Sequence, residues 1–75
     1  MMADTKFEYA DLVLTNGKLI RLEIPEEHSD DIYEMIDNAM QVGGWWSPSA
    51  YADCDASYLG NSLDRINMSL VIGML

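Results

Sequence analysis

Asn16-Gly17 is the dipeptide that most constrains how this chain can fold. It interrupts "FEYADLVLTNGKLIRLEI", Phe7 to Ile24, in which β-branched and aliphatic residues alternate with polar ones on both sides. Asn-Gly between two alternating runs is the strongest short-range hairpin signal, since both residues accept the positive φ of a tight reversal. Two registers are open. A two-residue Asn-Gly loop places Leu12 opposite Arg21 and Asp11 opposite Leu22. A three-residue loop, Thr15-Asn16-Gly17 with Gly17 left-handed, pairs Leu14 with Lys18 and Asp11 with Arg21. The second gathers Ala10, Leu12, Leu14, Ile20, Leu22 and Ile24 on one face. It leaves Tyr9, Asp11, Val13, Leu19, Arg21 and Glu23 on the other, with an opposite-charge pair across the strands, and is preferred.

Pro25 ends the second strand, because it has no N–H for a ladder. "EEHSDDIYEMIDNAMQVGG" then reads as a helix with Ser29 as N-cap, or with a start one turn earlier at Pro25-Glu26-Glu27. Ile32, Met35, Ile36, Ala39 and Met40 form its apolar stripe, and Gly43 is a natural residue to stop it. The helix is expected to lie across the apolar face of the hairpin.

Beyond Pro48 the pattern weakens. A strand-like "ASYL", a Gly60-Asn61 turn, one helical turn over Met68 to Val71 capped by Asn67, and a last strand Ile72 to Leu75 form one reading. A helix over Leu63 to Val71 is the alternative. Short turn-bounded runs ending in Val-Ile favour strands. The expectation is a single α+β domain over residues 1–75, in the order ββαββ, with one amphipathic acidic helix packed on an antiparallel sheet. The chain has 75 residues and one cysteine, Cys54. An internal disulfide is therefore excluded, which fits a reducing cytosol. "MMADTKFEYAD" shows no basic region followed by an apolar stretch, so no signal peptide is expected, and no apolar run approaches a membrane span.

Charge separates the function classes. Thirteen acidic residues against four basic ones give a net charge of −9. This disfavours direct binding to nucleic acid or to an anionic membrane, and favours a basic partner. On the helix, Glu27, Asp30, Asp31, Glu34 and Asp37 fall within a sector about 120° wide, opposite the apolar stripe. No Lys or Arg interrupts them. A solvated helix face usually mixes both signs; a one-sign row of carboxylates along a rod resembles a run of phosphates.

Catalytic and metal chemistry have little to stand on. The single histidine, His28, sits among Glu26, Glu27, Asp30 and Asp31, where acidic residues are explained by the helix dipole. "DCD", Asp53 to Asp55, lacks the spacing of a metal motif, and Cys54 has no basic neighbour to activate it. No catalytic residue, metal ligand or cofactor site is assigned. Trp45 and Trp46 follow Gly43-Gly44 directly. Adjacent residues of an extended segment point to opposite sides, so one ring is expected to seal the core and the other to face a partner. Trp46 is expected to be the outer one.

A small acidic chain with a hairpin, one acidic helix and no catalytic set resembles the phage-encoded anti-CRISPR proteins that mimic nucleic acid. "EEHSDDIYEMID" carries the resemblance, through Glu27, Asp30, Asp31, Glu34 and Asp37. It implies a non-enzymatic inhibitor, acting in the cytoplasm of a bacterial host on a CRISPR effector or another basic nucleic-acid-binding complex. The alternative is a small self-assembling or scaffold module. "SLVIGML" and the outward Val13 and Leu19 offer apolar edges, so monomer and homodimer both remain open.

Overall fold

The structure is a computed structural model and describes residues 6–51 and 53–75. The leaderless reading of the first residues therefore concerns a segment largely outside that description. The fold is α+β. A five-stranded antiparallel sheet of order β5-β4-β2-β1-β7 is built from β1 (Phe7–Leu14), β2 (Leu19–Pro25), β4 (Asp55–Tyr58), β5 (Asn61–Leu63) and β7 (Val71–Met74). A separate ribbon pairs β3 (Trp45–Trp46) with β6 (Ile66–Asn67). The single helix, α1 (Ser29–Val42), joins β2 to β3.

The hairpin takes the three-residue register. Asp11 lies opposite Arg21, Leu12 opposite Ile20 and Val13 opposite Leu19. The Leu14 N–H donates to the Lys18 carbonyl at 2.9 Å, and Gly17 has φ 81°. Arg21 Nε reaches Asp11 Oδ1 at 3.2 Å across the outer face. All six inward residues, Ala10, Leu12, Leu14, Ile20, Leu22 and Ile24, are buried. They meet Ile32 and Ile36 of α1, with Ala39 and Met40 packed at the margin. The core also takes in Cys54, Ala56, Ile66, Met68 and Val71. The strong period-2 pattern thus makes a half-buried sheet, and the 3.6-residue stripe supplies its cover.

Three local details differ from the expectation. Ser29 is the first residue of α1 and not its cap. A single 3₁₀ turn, Glu26–His28, precedes it, and the Ser29 hydroxyl donates back to the Glu26 carbonyl at 3.0 Å. The earlier start at Pro25-Glu26-Glu27 is thus the one realised, because the Glu26 N–H still serves the sheet, donating to the Lys6 carbonyl. The second reversal is centred on Leu59-Gly60, not Gly60-Asn61, since Tyr58 pairs with Asn61. Finally, β3, β5 and β6 add to the four expected strands; runs of two or three residues are too short to show an alternation. The strand reading of the last quarter holds. Asn67 caps the 3₁₀ turn Met68–Leu70, its Oδ1 accepting from the Ser69 N–H at 3.1 Å.

Leu59 has φ 51° and Gly60 φ 83°, the double positive φ of a type I′ turn. Leucine pays a steric penalty there, as its Cβ crowds the carbonyl. Its side chain is exposed and contributes no core packing. Leu59→Asn is expected to stabilise the fold by about 1 kcal/mol, read as a higher urea midpoint.

Cys54 is fully buried beside the exposed Asp55. Burial, reinforced by that carboxylate, pushes its thiol up to about 11. An unfolded thiol ionises near pH 8.5, so below that pH both states hold the proton. Between about 8.5 and 11 the unfolded chain releases it first, and stability falls with pH. Urea titrations across this window should show Cys54→Ala losing less stability than the wild type, by about 1.4 kcal/mol per unit of displacement. A parallel decline in both proteins would contradict the burial of the thiol.

Candidate functional site

The acidic face is carried by α1 and the turn before it. Asp30, Asp31, Glu34 and Asp37 all lie on α1 and are exposed. Glu27 is exposed too, but it sits in the 3₁₀ turn, so its direction departs from strict α-helical spacing. Among the described residues the ion pairs are Arg21 with Asp11 and, when the ring is protonated, His28 with Glu27 at 3.7 Å. None of the four basic residues lies on α1. Lys6 precedes β1, Lys18 closes the hairpin, Arg21 is held on the outer face, and Arg65 covers Trp45. Asp30, Glu34 and Asp37 engage no side-chain partner among the described residues.

Asp31 differs. Its Oδ2 accepts a 2.8 Å hydrogen bond from the Tyr51 hydroxyl, which raises the Tyr51 pKa because the neutral phenol is the donor. The Tyr51 ring stands edge-on to His28, with centroids 5.6 Å apart. His28 therefore rests between an aromatic edge and the Glu27 carboxylate. On the other side of the helix, Tyr33 donates to Glu8 Oε2 at 3.2 Å, tying α1 to β1. Burial, followed by that hydrogen bond, raises the Tyr33 pKa.

Two glycines set the tryptophans. Gly43 ends α1 with φ 77° and ψ −169°, a conformation open essentially to glycine alone. A Cβ at Gly43 would also lie 2.8 Å from Ser69 Oγ. Gly44 follows at φ 80°, accepts from the Met68 N–H and donates to Ser69 Oγ at 3.0 Å. The chain leaves the helix pinned to the Met68–Leu70 turn and enters β3 in a single register: Trp45 opposite Asn67, Trp46 opposite Ile66.

That register reverses the expectation for the two rings. Trp46 shares a face with Ile66, which is buried, and packs against the core. Trp45 is 62% exposed. The guanidinium of Arg65 stands over the Trp45 ring, 4.6 Å from its centroid. Trp46 is therefore not the outer aromatic. The dipeptide alone shows that the rings diverge; which one turns inward depends on a partner strand twenty residues downstream.

A groove of about 470 Å3 runs beside the helix, lined by Met35, Trp45, Trp46, Ser47, Ala50 and Tyr51. Tyr51 belongs to this groove and to the acidic face, through its bond to Asp31. Tyr51 is not among the residues the sequence singles out, because a contact across twenty positions leaves no local signal. Carboxylates and aromatic surface thus adjoin, an arrangement suited to basic side chains with long apolar stems. Asp53 and Asp55 are exposed while Cys54 points inward. Among the described residues no group of three or more His, Cys, Asp or Glu side chains could hold a metal ion, and no helix is long and apolar enough to cross a membrane.

The two rings should separate in stability. Trp46→Ala is expected to cost about 3 kcal/mol, as for a large ring removed from a core margin. Trp45→Ala forfeits mainly the exposed stacking with Arg65, about 0.5–1 kcal/mol. Urea unfolding followed by circular dichroism decides this, and equal losses would contradict the assigned orientation. No family model matches this chain, and neither do any curated protein or any solved structure.

Proposed function

We propose that this protein is a non-enzymatic inhibitor of a basic nucleic-acid-binding protein or complex, with a CRISPR effector in a bacterial cytoplasm as the foremost target. The observation that carries this reading is the exposed one-sign face of α1, where Asp30, Glu34 and Asp37 have no cationic partner among the described residues. Such a face holds unneutralised negative potential. A groove lined with Lys and Arg offers what the protein does not supply internally. Glu27 and Asp31 extend the face at its start, Asp31 oriented by Tyr51. The adjoining groove supplies aromatic contact, with Trp45 as the exposed ring and Trp46 as its inner wall. Long-range attraction brings the partners together, and the desolvated aromatic contact slows their separation.

Enzymatic action has no comparable support. His28 is the one histidine, and its ring is held against Tyr51 and Glu27. Direct contact with nucleic acid is opposed by the net charge of −9.

The test is a binding and cleavage assay against purified CRISPR effector complexes. Inhibition should compete with the nucleic-acid target and weaken as salt rises. Combining Asp30→Lys, Glu34→Lys and Asp37→Lys should abolish inhibition while leaving the fold intact, because all three side chains are exposed. Salt-independent inhibition, or full inhibition by the triple variant, would overturn the reading.

A further inference from the structure

The two edges of the main sheet are unlike. β5 is three residues long, exposes Asn61 and Ser62, and is followed by Asp64. β7 carries Val71, Ile72, Gly73 and Met74, with no charge and no proline. Natural sheets usually blunt a free edge with charge, proline or brevity. β7 is itself four residues long and is bulged at Ile72, which the ladder skips between Val13–Gly73 and Leu14–Val71, but it carries neither charge nor proline. Residues 66–75 hold no ionisable side chain, within a chain of net charge −9. Leu70, Ile72, Met74 and Leu75 are all exposed there.

The ladder with β1 fixes which backbone groups remain open. Leu75 N–H donates to the Asp11 carbonyl at 2.8 Å, so the planar peptide aims the Met74 carbonyl away from β1. Leu12 faces Met74 and Val13 faces Gly73. Gly73, paired with Val13, turns its own N–H and carbonyl toward β1. The planar peptides on either side of it therefore turn the Met74 N–H and the Ile72 carbonyl outward as well. Among the described residues nothing pairs with this edge.

We infer that β7 pairs antiparallel with β7 of a second copy of this chain, about a two-fold axis at Gly73, giving one continuous ten-stranded sheet. In that register the Met74 N–H of each copy meets the Ile72 carbonyl of the other, so the open donor and acceptor satisfy one another. In this register the backbone of Ile72 of one copy lies opposite that of Met74 of the other. Gly73 meets Gly73 at the narrow Cα spacing of a non-hydrogen-bonded pair. The second copy is favoured over a foreign strand by this self-complementarity. Charge agrees: two copies of net charge −9 repel one another, and this edge brings no acidic side chain to the contact.

The inference stands independently of the inhibitor reading, and salt separates the two. Binding to a basic target weakens with salt, whereas association of two anionic copies strengthens as their repulsion is screened. Sedimentation of the full chain from micromolar to several hundred micromolar should show a monomer–dimer equilibrium that shifts toward dimer at higher salt. Ile72→Lys places a cation at an exposed position, and Met74→Pro removes the outward N–H while sparing the ladder to β1. Each should raise the dimer dissociation constant at least about tenfold with an unchanged circular dichroism spectrum. Trp45→Ala should leave dimerisation unchanged. A strict monomer over the whole range, a dimer indifferent to both β7 variants, or an edge that accepts only a foreign extended peptide would overturn the inference. Loss of dimerisation by these variants with retained inhibition would leave the acidic-face reading intact.

Discussion

Everything in this fold depends on one hairpin register. With Leu14 bonded to Lys18 across a three-residue loop, Ala10, Leu12, Leu14, Ile20, Leu22 and Ile24 all point one way. A slip of one residue on either strand would send that strand's apolar side chains to solvent. The buried residues described form one core, and a chain of 75 residues leaves little room for another. The single helix covers the apolar face, and its own outer surface is thereby committed to solvent. Placement of the acidic row is thus a consequence of sheet register, relayed through the stripe of Ile32 and Ile36.

Charge is distributed with the same economy of elements. Arg21 is tied to Asp11 on the open face, and Arg65 lies over Trp45. With only four Lys and Arg in the chain, these placements leave α1 without a Lys or Arg counter-charge among the described residues. Self-repulsion along Asp30, Glu34 and Asp37 opposes folding slightly, each charge being screened by water. A basic surface would relieve it. The β7 edge presents the opposite character, with open backbone groups, exposed aliphatic side chains and no charge. One small domain thus carries two surfaces whose attractions respond to salt in opposite directions.

The hairpin, the helix and its acidic row were legible because each is written in local periodicity or in a turn dipeptide. Asn16-Gly17 and the capping Asn67 belong to this class, since their chemistry acts within two residues. Leu59 was misread for a physical reason. Asn61 is a better turn former, but the pairing of Tyr58 with Asn61 places the reversal one residue earlier and forces a leucine to positive φ. Ser29 lost its capping role because Glu26 remains bonded to the sheet through Lys6, and the chain closes a 3₁₀ turn before α1 begins.

The sequence by itself determined the α+β class, the three-residue hairpin loop, the apolar stripe of α1 and the one-sign charge of its outer face. Each follows from side-chain spacing of two or 3.6 residues. Only the tertiary structure decided that Trp45 faces outward and Trp46 inward, that Tyr51 holds Asp31, and that β7 ends as an open edge. These outcomes depend on partners distant in the chain: Ile66 for Trp46, Asp31 for Tyr51, and β1 for β7. A local pattern states that two adjacent side chains diverge; it takes the far strand to say which of them the core receives.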